Sequence, residues 1–416
     1  MAQLTDDCFA FGGPLLGVEA AAALIAERVP PLAGEERLPL LDARGRVLAR
    51  NVIAPRPLPG FFNSAVDGFA FRHAELRAEG ETRLRLAGRV AAGAEAPPLD
   101  KGQAMRVLTG APMPEGADTV IMQEDAAAED GFVFLRPGLR CGANCRPAGE
   151  DVPRGGLALR GGSRIGPAEI GLAAALGLSG LPVTPRPRVG VFSTGNELVS
   201  PGRAIGGPRA YDSNRYTLLS LLAGLPAEAR DLGILRDAPA AMAAALADAA
   251  GAHDLLLCSG GVSTGEEDHV RAAIESGGSL VFWRLAVKPG RPAAMGVVGG
   301  TPVLGLPGNP VAAVVTFLHL ARPLILRLAG ATPAPLPRFT AVAEFSYRKK
   351  AGRREYVRVS LHPTAAGAPI ARKFPREGAG LLSSLTESDA FAELDENSEG
   401  VEPGEVVRVL PFAAVF

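Results

Sequence analysis

What this chain has little of removes whole classes of function. Its 416 residues contain 4 cysteines, Cys8, Cys141, Cys145 and Cys258. They are too few and too scattered for a disulfide framework in a chain of this length. Cys141 and Cys145 have a metal-like spacing, but no second Cys or His pair completes a tetrahedral zinc set. The 5 histidines, His73, His253, His269, His319 and His362, form no HxH or HExxH pattern. His319 lies on an apolar helical face, where a core or interface role is expected. A GxxxxGKS or GxxxxGKT loop is absent, which excludes an ordinary P-loop nucleotidase. Charge of one sign is not in excess either: the net charge is −1, so no broad basic surface points to nucleic acid. No apolar run reaches the ~20 residues that span a bilayer. The N-terminus lacks the basic start and apolar core of a signal peptide. A cytoplasmic protein with neither nucleic acid nor membrane as partner is therefore expected. Lysine is scarce as well, occurring only as Lys101, Lys288, Lys349, Lys350 and Lys373.

What the chain does have is a series of unusual turns in 190–310, each after a short apolar run. They are Ser193-Thr194-Gly195-Asn196-Glu197, Arg236-Asp237, Ser259–Gly265, Lys288-Pro289-Gly290-Arg291-Pro292 and Leu306-Pro307-Gly308-Asn309-Pro310. The runs Arg188–Phe192, Leu232–Leu235, Asp254–Cys258, Leu280–Val287 and Val303–Leu306 read as buried parallel strands. Helical segments Tyr216–Ala223, Pro239–Ala250, Asp268–Ser276 and Val311–Leu328 alternate with them. Such βαβα order predicts a doubly wound, mostly parallel sheet, whose ligands bind where the strands end.

The chemistry of that edge follows from its residue types. Glycines in Ser259–Gly265 let successive N–H groups turn inward as an anion nest, with Ser259, Gly260, Gly261, Ser263, Thr264 and Gly265 as its candidates. Taken alone, the same loop also suits a tight strand-to-helix turn. Pro307, Gly308 and Asn309 form a second candidate cradle, although Asn309 before Pro310 equally suits a plain helix cap. Lys288 and Arg291 sit in a proline-stiffened turn as candidate oxyanion cations; a solvated surface lysine is the ordinary alternative. Glu197, Asp237 and Asp268 offer one acid at each of three strand ends, a set suited to Mg²⁺ beside phosphate. Asp268 alone would also favour a helix start.

These segments together resemble the MoeA-type molybdopterin molybdenumtransferases, the family that includes the corresponding domain of gephyrin. The likeness extends to Asn63-Ser64-Ala65-Val66-Asp67-Gly68-Phe69-Ala70, to Leu108-Thr109-Gly110-Ala111-Pro112-Met113-Pro114 with Gly116-Ala117-Asp118, to Gly149-Glu150-Asp151 and to Arg354-Glu355-Tyr356-Val357-Arg358. The resemblance implies molybdenum insertion into adenylylated molybdopterin, with molybdate as co-substrate, AMP as product and Mg²⁺ as cofactor. It implies catalytic or polar roles for Asp67, Thr109, Asp151, Glu197, Asp237 and Asp268, and basic roles for Arg146, Lys288 and Arg291. It implies a homodimer in which the partner supplies the Asp67 segment, although Asp-Gly is also a common turn signal. Transient contact with molybdopterin adenylyltransferase and apo-molybdoenzymes is expected. Departures stand at Arg291, where lysine is frequent; at Pro147, where a second arginine is frequent; and at Ala379, within a stretch where Gly-Ser-Gly is frequent. Ser383 or Ser384 is the candidate replacement for that lost hydroxyl. The alternatives are a molybdopterin adenylyltransferase, which would need only about residues 185–330, and a non-catalytic scaffold on the same fold.

Length alone suggests about three domains. Patterning gives an α+β unit over 1–56 and 149–186, with a helix at Val18–Arg28, and the resemblance implies that this unit is elongated and serves dimerisation. A β-rich insert follows over 57–148, then the α/β unit over 187–330, which the resemblance implies is molybdopterin-binding, and a small antiparallel barrel over 331–416.

Overall fold

The computed structural model describes residues 15–262, 269–365 and 367–416. At its centre is a six-stranded sheet ordered Glu228–Leu235, Arg188–Thr194, Leu255–Ser259, Thr301–Leu306, Ala294–Val298, Gly278–Trp283. The first four strands are parallel, and Ala294–Val298 pairs antiparallel with both Thr301–Leu306 and the edge strand Gly278–Trp283. Side-chain alternation sends Val189, Val191, Leu255 and Leu257 into one core, and Phe192, Leu256 and Cys258 into the other. Helices Asn214–Ala223 and Pro310–Thr316 cover the first face; Pro239–Ala252 and His269–Gly277 cover the second. Both faces are thus dry, as a parallel sheet requires. The chain leaves Arg188–Thr194 for one neighbouring strand and returns to the other, so the order reverses beside Thr194 and Ser259. A ligand crevice belongs at that switch point.

The expected parallel run Leu280–Val287 is corrected here. It divides into the antiparallel edge strand Gly278–Trp283 and a two-residue strand, Val287–Lys288, that leaves the sheet. The break falls at Arg284, whose φ is +106°, a conformation in which a strand cannot continue. Val287–Lys288 then pairs in parallel with Arg354–Glu355 at the start of the C-terminal strand Arg354–His362.

The long helical stretch Pro310–Leu328 also differs in detail. It contains a π turn over Phe317–Ala321, with the Arg322 N–H reaching the Phe317 carbonyl. Pro323 has no N–H to continue the regular ladder, which accounts for the widened turn. By length and composition this stretch could cross a membrane, but 78% of it is buried inside the protein, where it forms the central helix of the larger core. The first helix, Val18–Arg28, buries Val18, Ala21 and Ile25 in that same core.

Residues 68–135 form a second six-stranded sheet, in which the start of Gly68–Phe71 lies beside the end of Gln103–Val107. The C-terminal strands close a barrel: Arg354–His362, Ile370–Lys373, Phe339–Ala343, Val406–Pro411 and Ala390–Leu394, the last pairing back to the first. One of its pairs, Phe339–Ala343 with Ile370–Lys373, is parallel, so the barrel is not wholly antiparallel as expected.

Candidate active site

A cleft of about 890 Å³ opens at the switch point. Glu197, Asp237, Ser259, Gly260, Gly261, Lys288, Arg291, Pro307, Gly308 and Asn309 all line it, so the sequence-predicted acids, glycines and cations of 190–310 meet in one place. Ser263, Thr264, Gly265 and Asp268 lie outside the described residues.

Local backbone chemistry sets each wall. Gly260 and Gly261 have φ of +96° and +67°. A Cβ on Gly260 would sit 2.8 Å from the Thr194 carbonyl oxygen, and one on Gly261 would sit 2.6 Å from Val270 Cγ2. Only glycine therefore allows the chain to turn this tightly over the end of the neighbouring strand. Asn214 is buried and fastens the two candidate cradles together: its Nδ2 donates to Ser259 Oγ at 2.8 Å and to the Gly308 carbonyl at 2.7 Å. Asn309 is the residue before the helix and Pro310 its first residue, as the pattern predicts, but the Asn309 side chain makes no capping bond.

The acidic wall is tied by a reciprocal contact. The Asn196 N–H donates to Asp237 Oδ2 at 3.0 Å, and the Asp237 N–H donates to Asn196 Oδ1 at 3.4 Å. Glu197 and Asp237 consequently face one cleft from two loops that hold each other. Mg²⁺ needs only one or two carboxylates when phosphates and waters complete its shell, and this pair fits that requirement. Among the described residues, no group of three His, Cys, Asp or Glu side chains could hold a metal by itself.

The remaining predicted residues do not line this cleft. Asp67 and Thr109 meet elsewhere: the Thr109 N–H and hydroxyl both donate to Asp67 Oδ1 at 2.7 Å. Those two bonds, the backbone one first, hold the Asp67 carboxyl below the usual carboxylate range. Arg146 pairs through its backbone with Asn63, just ahead of the Asp67 segment. Asp151 is exposed, and its N–H donates to the Leu58 carbonyl.

Three comparisons with known proteins bear on this arrangement. Residues 16–177 match the family model described as MoeA N-terminal region (domain I and II). Residues 190–327 match a probable molybdopterin binding domain, and 340–412 match MoeA C-terminal region (domain IV). A molybdopterin molybdenumtransferase of Haemophilus influenzae is 36% identical, over 96% of this chain and 99% of its own. The chain belongs to the MoeA family. A Nostoc molybdopterin molybdenumtransferase is 32% identical over 95% of this chain and 94% of its own. The crystal structure of a molybdopterin biosynthesis moeA protein from Pyrococcus horikoshii superposes with a TM-score of 0.82 at 29% identity, covering 96% of this chain and all of that one.

One cleft residue of this MoeA fold, Arg353, escaped the sequence reading. Together with Ala379, also from the C-terminal barrel region, it completes the wall beside Lys288. The Ala379 carbonyl accepts the Val311 N–H at 3.0 Å, which seats the barrel loop on the helix start. Ser384 does not replace the missing hydroxyl: it is buried and its Oγ donates to the Leu381 carbonyl. Ser383 receives Arg376 Nη2 at 3.4 Å and is not part of the cleft wall. A smaller cavity of about 150 Å³ adjoins the cleft through Lys288, Pro289 and Ala379, and adds Arg358, Lys373 and Arg376 opposite Tyr347 and Tyr356. Arg358 is buried, which pulls its guanidinium below the usual value, and its Nε has no protein partner.

Proposed function

We propose that this protein inserts molybdenum into adenylylated molybdopterin, consuming molybdate and releasing AMP. The observation that carries the reading is the meeting of the Gly260–Gly261 nest, the cations Lys288, Arg291 and Arg353, and the acids Glu197 and Asp237 in one cleft. Nest and cations suit a pyrophosphate, and glycine backbone allows it to approach closely. Glu197 and Asp237 would hold Mg²⁺, which supplies charge neutralisation at the phosphate. Arg358, Lys373 and Arg376 in the adjoining cavity suit a compact tetrahedral oxyanion such as molybdate. Rate enhancement then comes from positioning and charge stabilisation, and no nucleophilic side chain is needed.

Asp67 and Thr109 are absent from the cleft wall, which favours a homodimer in which each copy presents this pair to its partner's cleft. Phe61 and Phe62, 51% and 36% exposed just ahead of Asp67, support a buried role for that edge in an assembly. A cytoplasmic setting suits the same reading, with transient contact with the adenylyltransferase and apo-molybdoenzymes. Adenylyl transfer is less well supported, because it leaves the barrel residues in the cleft wall with nothing to do. The two reactions separate by product. Incubated with adenylylated molybdopterin, molybdate and Mg²⁺, the protein releases AMP and yields active cofactor; AMP release that ignores molybdate, or ATP consumption with molybdopterin, would overturn the assignment.

A further inference from the structure

Glu355 stands directly across a parallel ladder from Lys288, with its side chain only 1% exposed. A carboxylate so far from water is costly unless donors surround it. Tyr347 donates its hydroxyl to Oε2 at 2.7 Å, and Lys288 Nζ lies 3.5 Å from the same oxygen. Arg353 Nε donates to Oε1 at 2.8 Å. Both cations line the cleft, one from the α/β segment and one from the barrel region. One buried carboxylate therefore holds, at a single wall, two positive groups that would otherwise repel each other.

Their holding differs in a useful way. Lys288 is 47% exposed and tethered only at one end, whereas the Arg353 side chain is 10% exposed and fixed through its Nε edge. A guanidinium clamped on that edge has its remaining donors set in direction, since the fork is planar and rigid. We propose that Arg353 is a further oxyanion-binding residue of the cleft, and that Glu355 is the positioning residue that sets Arg353 and Lys288 against the phosphate of the adenylylated substrate. This rests on the reaction proposed above. The C-terminal barrel thereby supplies one cation of the cleft and orients another.

The test uses the full-length protein. Arg353→Met raises the KM for adenylylated molybdopterin and the Kd for AMP, read by calorimetry with Mg²⁺, by about tenfold; Arg353→Lys recovers part of both. The Arg353→Met protein should fold, because Glu355 keeps Tyr347 and Lys288 as partners, and a thermal melt checks this. Glu355→Gln also raises the KM, and the double variant loses less than the product of the single losses, because Glu355 acts partly through Arg353. A structural role alone would give multiplicative losses without a KM effect. If Glu355→Gln fails to fold, the two Arg353 variants decide the matter. A wild-type protein that shows no molybdate-dependent AMP release defeats the reaction assignment itself. An active wild type beside Arg353→Met with unchanged KM and AMP affinity defeats this inference alone.

Discussion

At the scale of single residues, Asp67 carries the sharpest expectation. Its carboxylate is held ionised by the Thr109 N–H and hydroxyl, both at 2.7 Å. Asp67→Asn removes the charge while keeping a side chain that fits the same space. Molybdate-dependent AMP release should fall to background while the thermal midpoint stays near that of the wild type; unchanged turnover would take Asp67 out of the reaction. Lys288 makes a different kind of contribution. It is a half-exposed cation at the junction of the large cleft and the smaller cavity. Lys288→Ala should weaken binding of the adenylylated substrate by about 2 kcal/mol, roughly thirtyfold, the usual loss for a hydrogen bond to a charged group. Titration calorimetry reads this directly, and wild-type affinity would exclude the contact. The scarcity of lysine drew attention to Lys288 in the sequence, whereas Asp67 stood out only through the resemblance of its segment to the MoeA family, because an Asp-Gly pair alone reads as a turn. Arg353 did not stand out, since one arginine among many gives no signal until a buried partner such as Glu355 is seen beside it.

At the scale of elements, the π turn over Phe317–Ala321 places His319 against Tyr356, with ring centroids 4.8 Å apart. Burial first, then the nearby Arg338 and Arg354, hold the His319 pKa down to about 3; Glu19 opposes them and Arg322 adds to them. The unfolded chain takes up a proton near pH ~6.5, where free imidazole titrates, while the folded protein does not. Stability is therefore lost as pH falls from that value toward 3, and is fully present above it. His319→Leu removes this component. The shift of the urea midpoint between about pH 7 and about pH 5 should be smaller in the variant than in the wild type. An equal shift would show that other groups govern acid sensitivity. Most strand and helix identities in 188–328 were readable, because buried strands write apolar runs and the glycine turns punctuate them; the strand Ala294–Val298 and the exposed first half of Glu228–Leu235 were not anticipated. The misread run Leu280–Val287 contained its own warning in Arg284, the only charge in that run. The pairing of Val287–Lys288 with Arg354–Glu355 was not readable, since register between distant segments leaves no mark on either one.

At the scale of the whole molecule, the separation of the Asp67 pair from the cleft leads to a test of assembly. If each cleft is completed by the partner copy, an Asp67→Asn chain still offers an intact cleft, and a Lys288→Ala chain still offers an intact Asp67. Each homodimer carries two damaged composite sites. A mixed dimer carries one site with both defects and one with neither. Random reassociation of equal amounts makes about half of the dimers mixed, so with substrate held below its KM the mixture should recover about a quarter of wild-type AMP release from two parents that each show little of it. Co-expression of differently tagged chains followed by tandem purification isolates the mixed dimer, whose activity should approach about half of wild type for the same reason. Were both residues to serve a site within one chain, every chain in the mixture would still lack one of them, and no activity would return. Recovery therefore depends on geometry between copies and not on the strength of any single contact, which makes it independent of the folding and affinity effects that complicate the single substitutions.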